Sequence, residues 1–448
     1  MRCTSMLKAL SASMVLAMVA AACSSGGGTP DSGDEGGTGS GLRSYGDPNA
    51  PAELEFWAWA TNIEQVVDIW NRQHPDQQVE VNSQAQGDEL VTRLLTAAKA
   101  GNAPCLMQTE YQALPVLVSN GVAADVTAAA DTVRGDFSDS AWGLTSFSDQ
   151  TFAIPQDVAP MMLYYREDLF EQMGLEVPQT WDEYADLAAE VRRKAPDRFL
   201  TTFSSNDPGW FAGLSQQAGA SWWSTDGEQW SVDIDDQATE QVASYWGRLV
   251  NSGVVDGQPM YTPQWNRAMS DGTLLTWPSA VWGAAVLEGV APTTKGKWAV
   301  APLPGWTEGE DVSGYWGGSA TAVSEDCEDK AQALKFATWL NTSPEAVRGL
   351  ITTSGVYPAA TDGQTSTALD SPPAMMPNQT GFYDLASEAA RSARTFTWGP
   401  NVNVTYSVYS DAFQQAIEGG ADFTSAVAAM QDRTVADLEE QGFSVSQE

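Results

Sequence analysis

The chain runs to 448 residues, with 58 acidic against 22 basic side chains and a formal net charge of −36. A surface this negative repels nucleic acid and anionic lipid head groups, so neither is an expected partner. A single histidine, His74, argues against histidine-based triads and histidine-ligated zinc, and the length exceeds what one hydrophobic core usually supports, which suggests two domains.

At the N-terminus, Arg2 and Lys8 accompany an apolar run over residues 9–22. The run is too short to span a bilayer comfortably and reads as an export signal. It ends "MVAAACSSGGG", where small residues directly before Cys23 resemble a bacterial lipobox, in which that cysteine is lipidated; Ala20 stands where the pattern prefers Leu. The next stretch is Gly, Ser, Asp, Pro and Thr with almost no apolar content, which cannot bury a core and behaves as a tether. The expectation is a signal over 1–22, a lipid on Cys23, a tether over 23–51, and a folded body held at the outer face of the cytoplasmic membrane. No later run is long and apolar enough to cross a membrane.

From residue 52 the patterns alternate. "AELEFWAW" reads as a strand, and "NIEQVVDIWNRQHP" as a helix with Ile63, Val66, Val67 and Trp70 on one face, stopped by proline. "QVEVNSQ" is a strand, "DELVTRLLTAAKAG" a helix and "APCLMQT" a strand. This βαβαβ order belongs to a parallel sheet covered by helices, with the loops after the strands gathered at one edge. Further on, "AIPQDVAPMMLYYREDLF" joins two prolines, a polar turn at Gln156 and Asp157, and an apolar run. "TWDEYADLAAEVRRKA" opens with Thr180 and Glu183 as a capping box. "RFLTTFSS" reads as a strand, "NDPGWF" as a loop, "QATEQVASYWGRLVNSG" as a helix, "GTLLTWPSAVWGAAVL" as a strand breaking into a helix, and "GKWAVAPLPGW" as a strand. "YWGGSATAVS" is a strand, "EDKAQALKFATWLN" a helix, and the tail forms two helices. Cys105 and Cys327 are an even pair in an exported chain, and so a disulfide candidate.

Seven of these stretches in order, behind a lipobox and a tether, resemble the type 1 extracellular solute-binding proteins of ABC sugar importers, the group that includes maltose-binding protein. They are "FWAWATNIEQVVDIWNRQHPDQQVEV", "LLTAAKAGNAP", the Pro155 and Pro160 stretch through "EVPQTWDEY", "MSDGTLLTWPSAVW", "KWAVAPLPG", "GGSATAVSEDCEDKAQALKFATWLN" and the terminal helices. The resemblance spans nearly all of 52–445. It implies an α/β, two-lobed periplasmic-binding-protein-like fold of type II. Each lobe would be a mostly parallel sheet flanked by helices, with the ligand in a cleft at the hinge. Lobe one would comprise 52–155 and 316–362, and lobe two 156–315 and 363–448. The resemblance also implies that the strand after Gly317 and Gly318 runs antiparallel beside "PCLMQT", which would bring Cys105 and Cys327 together at the far edge. It further implies an ABC permease as partner, a monomer in solution, and neither cofactor, metal nor catalytic residues.

A sugar offers apolar ring faces and a rim of hydroxyls. Aromatic rings cover the faces, while carboxylates and amides bind the rim. The candidates at the expected cleft are Trp59, Trp210, Trp277, Trp282, Trp316 and Trp398, with Asn62, Glu110, Tyr111, Gln156, Asp157, Asp207 and Gly317. Of these, Asp207 matches a cleft carboxylate of the maltose-binding relatives. Trp57, Trp70, Trp181, Trp246 and Trp339 have core spacing, and Trp222, Trp223 and Trp230 could lie on the lobe-two surface or at the cleft rim. Other ligands remain open at this point: a glycerophosphodiester, a polyamine or ferric iron. Iron capture would use paired tyrosines, but Tyr164 and Tyr165 are adjacent in a strand, point to opposite faces and cannot converge on one metal. A glycoside hydrolase using Glu110 and Asp207 as its carboxylate pair is a further alternative.

Overall fold

Seven strands form the main sheet of the computed structural model, which describes residues 41–84, 87–147, 149–226 and 229–446. The signal, Cys23 and the first part of the tether lie outside the described residues. The strands are β1 (Ala52–Ala58), β2 (Gln77–Ser83), β3 (Leu106–Glu110), β4 (Ala153–Arg166), β5 (Thr276–Ala280), β6 (Trp298–Ala301) and β7 (Tyr315–Val323). Their order is β6-β4-β7-β3-β1-β2, with β5 also paired to β4.

The opening βαβαβ unit follows directly from its patterning. On β1, Leu54 and Phe56 point inward while Glu53 and Glu55 face solvent. The Ile63–Gln73 helix buries the expected stripe of Ile63, Val66, Val67 and Trp70. β1 pairs in parallel with both β2 and β3. β7 then runs antiparallel to β3, from Ser319 opposite Glu110 to Val323 opposite Leu106. Just beyond that end, the Ser324 N–H bonds the Cys105 carbonyl at 3.0 Å, and Cys105 and Cys327 are joined by a disulfide.

β4 crosses between the two halves of the sheet. Its first half pairs antiparallel with β7, from Ala153 opposite Ala322 to Pro160 opposite Tyr315. Its second half lies between β5 and β6, again antiparallel to both. The segment near 199–202 adds to this second half in parallel with residue 274. In that half only the crossing strand runs against its neighbours. Two prolines fit inside β4 because the ladder there is already irregular, with register shifts between Tyr315 and Gly318 and between Ser319 and Ala320.

The structure departs from several sequence readings. Gln156 and Asp157 form no turn; β4 is continuous through them. Residues near the end of the expected tether are packed: the carbonyls of Pro48 and Ala50 accept from Gln77 Nε2 at 2.8 and 2.7 Å, and Lys335 Nζ reaches Asn49. "NDPGWF" is the start of a helix, Pro208–Ala218, capped by Asp207. Trp222 and Trp223 are fully buried, Trp222 stacked on Phe396 and Trp223 packed against Trp398, so neither is surface nor rim. Tyr164 is buried and its hydroxyl donates to the carbonyls of Ala280 and Val281, whereas Tyr165 lies on the other face. Among the described residues no helix is long and apolar enough to cross a membrane, and no group of three or more His, Cys, Asp or Glu could hold a metal ion.

Candidate functional site

A cavity of 1120 Å³ opens where the two halves of the sheet meet. Its floor is made by β4 and β7, and its walls by loops at the ends of β1 and β3 on one side and by the 206–209, 261 and 282–286 segments on the other.

The floor is organised by a chain of polar contacts. Gln108 on β3 accepts from the backbone N–H groups of Trp59 and Ala60 at 3.0 and 3.1 Å, which fixes the loop after β1. Its amide nitrogen donates to Ser319 Oγ at 3.0 Å, and the Ser319 hydroxyl in turn donates to Asp157. The Tyr111 hydroxyl donates to the Asp157 carbonyl at 2.9 Å. Burial raises the Asp157 carboxyl to about 6, although the Ser319 hydroxyl and N–H offset part of the rise. Burial raises the Tyr111 phenol as well, and the charge of Asp157 adds to it.

Glycine is required on the floor itself. Gly317 and Gly318 have φ of 89° and 96°, the region that L side chains avoid. A Cβ on Gly318 would stand 2.8 Å from the Tyr111 ring and 2.9 Å from the Asp157 carbonyl. The irregular β7–β4 ladder at this point lets Trp316 and Gly317 line the cavity.

The aromatic wall is built from Trp282 and Trp316. Their ring centroids are 4.5 Å apart at 67°, and the Trp282 indole N–H donates to the Trp316 carbonyl at 3.0 Å. Trp277 packs edge-on behind both, at 6.0 and 5.9 Å. Beside them, the Asp207 carboxylate accepts from the Trp210 backbone N–H at 2.9 Å, closing the first turn of the Pro208–Ala218 helix. Burial raises the Asp207 carboxyl to about 7, against the lowering effect of the Trp210 N–H, the Trp316 side chain and the Gly209 N–H.

Of the residues expected at the cleft, Trp59, Glu110, Tyr111, Asp157, Asp207, Trp282, Trp316, Gly317 and Trp398 line this cavity. The others do not. Trp210 is buried, with its indole N–H on the Pro278 carbonyl at 2.9 Å and its ring against Phe203 and Trp246. Trp277 donates to Met260 Sδ and supports the wall from behind. Gln156 faces the opposite side of β4 from Asp157 and accepts from Thr321, because successive strand residues alternate faces. Asn62, at φ 57°, donates to the Thr353 carbonyl and starts the first helix outside the cavity. Glu110 lies at the rim, where Gln112 donates to it at 2.8 Å.

Tyr111 was the one tyrosine that the sequence reading placed at the cleft. Tyr261, Tyr315, Tyr357, Tyr383 and Tyr406 all line the cavity. Tyr357 and Tyr383 lie parallel, with centroids 6.1 Å apart. Gln216 was also missed. It lines the cavity, accepts from the Tyr315 N–H at 2.9 Å, and its buried amide nitrogen has no partner among the described residues. Tyr315 lies on a strand and Gln216, Tyr383 and Tyr406 on helices, so nothing local in the sequence marked them as cleft residues.

Known proteins share this architecture, at about a quarter sequence identity. The galacto-N-biose/lacto-N-biose I-binding protein of an ABC transporter from Bifidobacterium longum superposes with a TM-score of 0.78 at 26% identity, over 89% of this chain and 99% of that one. A binding protein from B. animalis subsp. lactis, solved with β-1,6-galactobiose, has a TM-score of 0.75 at 22% identity, over 88% and 99% of the two chains. An arabinooligosaccharide-binding protein of Halalkalibacterium halodurans is 24% identical over 70% of this chain and 73% of its own length. A lactose-binding protein of Rhizobium radiobacter is 25% identical over 75% and 81%. The fold is thus the two-lobed α/β architecture of these binding proteins, with the cavity between the lobes. Residues 53–347 match the bacterial extracellular solute-binding protein family, and the chain belongs to that family.

Proposed function

We propose that this protein is the receptor of an ABC importer for a neutral saccharide, captured in the 1120 Å³ cleft by closure of the lobes and delivered to a membrane permease. The observation that carries this reading is the composition of the cleft. Trp282 and Trp316 present ring surface beside hydrogen-bonding groups of Asp157, Asp207 and Ser319, and no Lys, Arg or His lines it among the described residues. Apolar ring surface next to polar acceptors suits a sugar, whose faces and rim differ in the same way. The relatives named above, whose own names or titles refer to oligosaccharides, support the same class.

A phosphate-bearing ligand fits poorly. Such a ligand calls for a cation or a free helix N-terminus. The cleft lacks the first among its described residues; of the helices that begin at it, the one from Pro208 is capped by Asp207 while those from Gly283 and Val402 carry no side-chain cap, so the lower rank rests on the missing cation. A polyamine is the second reading, because the charged lining residues Glu110, Asp157 and Asp207 are all acidic. It ranks lower because burial raises Asp157 and Asp207 to about 6 and 7, which leaves less negative charge for a cation. No catalytic role is proposed for Glu110 and Asp207: Asp207 is engaged as a helix cap, and the two face each other across a cleft whose width changes on closure. We further propose that Cys23 carries a lipid after removal of residues 1–22, and that the protein acts as a monomer. Lobe one is taken as 52–155 with 316–362, and lobe two as the remainder.

Calorimetric titration against lactose, lacto-N-biose, β-1,6-galactobiose, arabinooligosaccharides, glycerophosphocholine and spermidine tests the ligand class. The expected result is saturable binding of one or a few related saccharides at about micromolar Kd or tighter. Binding of spermidine or glycerophosphocholine, with no saccharide response, would overturn it. Turnover of a bound oligosaccharide, seen by product analysis, would overturn the assignment as a binding protein.

A further inference from the structure

Tyr261 is the one large hydrophobic residue among those described that stands exposed, at 43%. It lines the cleft. It also holds φ at 63°, the left-handed region that a bulky side chain occupies only under constraint. The constraint is visible on both sides of it. Met260 is buried; its N–H donates to Ser204 Oγ at 2.9 Å and its carbonyl accepts from Asn206 at 3.0 Å. Thr262 caps the next helix, Pro263–Asp271, by accepting from the Trp265 N–H at 3.2 Å. With both neighbours anchored, residue 261 must take the left-handed conformation, and Gly or Asn would adopt it more easily than Tyr. The ring is braced rather than loose: it packs against Trp265 at 5.3 Å and edge-on to Trp277 at 6.4 Å, and Trp277 in turn backs the Trp282–Trp316 wall.

A bulky aromatic residue placed where the backbone disfavours it, exposed in the cleft and rigidly backed, is the arrangement of a ligand-contacting platform. We propose that Tyr261 is a ligand-binding residue that covers an apolar ring face of the saccharide, extending the wall formed by Trp282 and Trp316. The inference rests on the reading of the cleft as a saccharide site.

The test compares the full-length chain with Tyr261→Asn and Tyr261→Phe, using whichever saccharide of the panel above the native chain binds. Kd is measured by calorimetry and Tm by thermal unfolding without ligand. Asn suits the left-handed conformation, so the expected result for Tyr261→Asn is a Tm equal to or above that of the native chain, together with a Kd raised about tenfold. Tyr261→Phe keeps the ring and is expected to stay within threefold of native. Weakening of less than threefold in Tyr261→Asn overturns the proposal. A fall of more than about 5 °C in its Tm also overturns it, because the ring would then be structural. Loss beyond threefold in Tyr261→Phe overturns the ring-face contact in favour of the hydroxyl. If the native chain binds no saccharide at all, the parent reading of the cleft fails before the variants are compared.

Discussion

Replacing Asp207 by Asn should stabilise the ligand-free protein at high pH while weakening its ligand affinity. The Asn side chain keeps the oxygen that accepts from the Trp210 N–H at 2.9 Å, so the helix cap survives. What it removes is a carboxyl that burial raises from 3.8 to about 7. In the native chain the folded state therefore holds a proton that the unfolded state has already lost between pH 3.8 and about 7. The sign follows: native stability relative to the variant falls as pH rises through that window, and the fall is complete above about 7. Raising the carboxyl from 3.8 to about 7 corresponds to roughly 4 kcal/mol when it is fully desolvated. Asp207 is partly exposed at the cleft, so solvent screening reduces this to about 2 kcal/mol. Between pH 5 and pH 8 the gap should widen by about 1–2 kcal/mol in favour of the variant. Urea unfolding of both proteins at several pH values, followed by tryptophan fluorescence, measures it. A gap independent of pH, or one that favours the native chain as pH rises, would refute the reasoning. At pH 8 the same variant should bind saccharide about tenfold more weakly, because a charge-assisted hydrogen bond is replaced by a neutral one.

Three further perturbations test the architecture. Gly318→Ala places a Cβ 2.8 Å from Tyr111 and 2.9 Å from the Asp157 carbonyl at φ 96°. It should destabilise the fold by about 2–4 kcal/mol in chemical unfolding. Cys105→Ser with Cys327→Ser opens a link between residues 222 apart in sequence, and should lower stability by up to about 5 kcal/mol; an unfolding midpoint unchanged by the double substitution would mean that the bond constrains nothing. Trp282→Ala removes one ring of the cleft wall and its bond to the Trp316 carbonyl, and should raise Kd by roughly tenfold or more in calorimetry.

The strands and helices were legible wherever one face is dry and the other wet. β1 and the Ile63–Gln73 helix have the periods of 2 and 3.6 that their burial patterns later display. The Pro208–Ala218 helix did carry a start signal, Asp207 as cap followed by proline at the first helical position, but that signal was passed over. Its start was read as a loop because the helix is buried almost all round and has no polar face to reveal its period.

The sequence by itself therefore determined the alternation of elements, the crossing of the chain at 153–166, and a set of aromatic and acidic residues near the ends of strands. Only the tertiary structure decided which of them face the cleft. Trp277 and Trp282 are five residues apart and chemically identical, yet one lines the cavity while the other packs behind it. Gln156 and Asp157 are adjacent and were separated by the alternation of a strand that had been read as a turn. Tyr261 takes its conformation from bonds that its neighbour Met260 makes to Ser204 and Asn206, more than fifty residues away. Local sequence sets periodicity, but facing and register depend on partners distant along the chain, and that is why the cleft became definite only when the two halves of the sheet were joined.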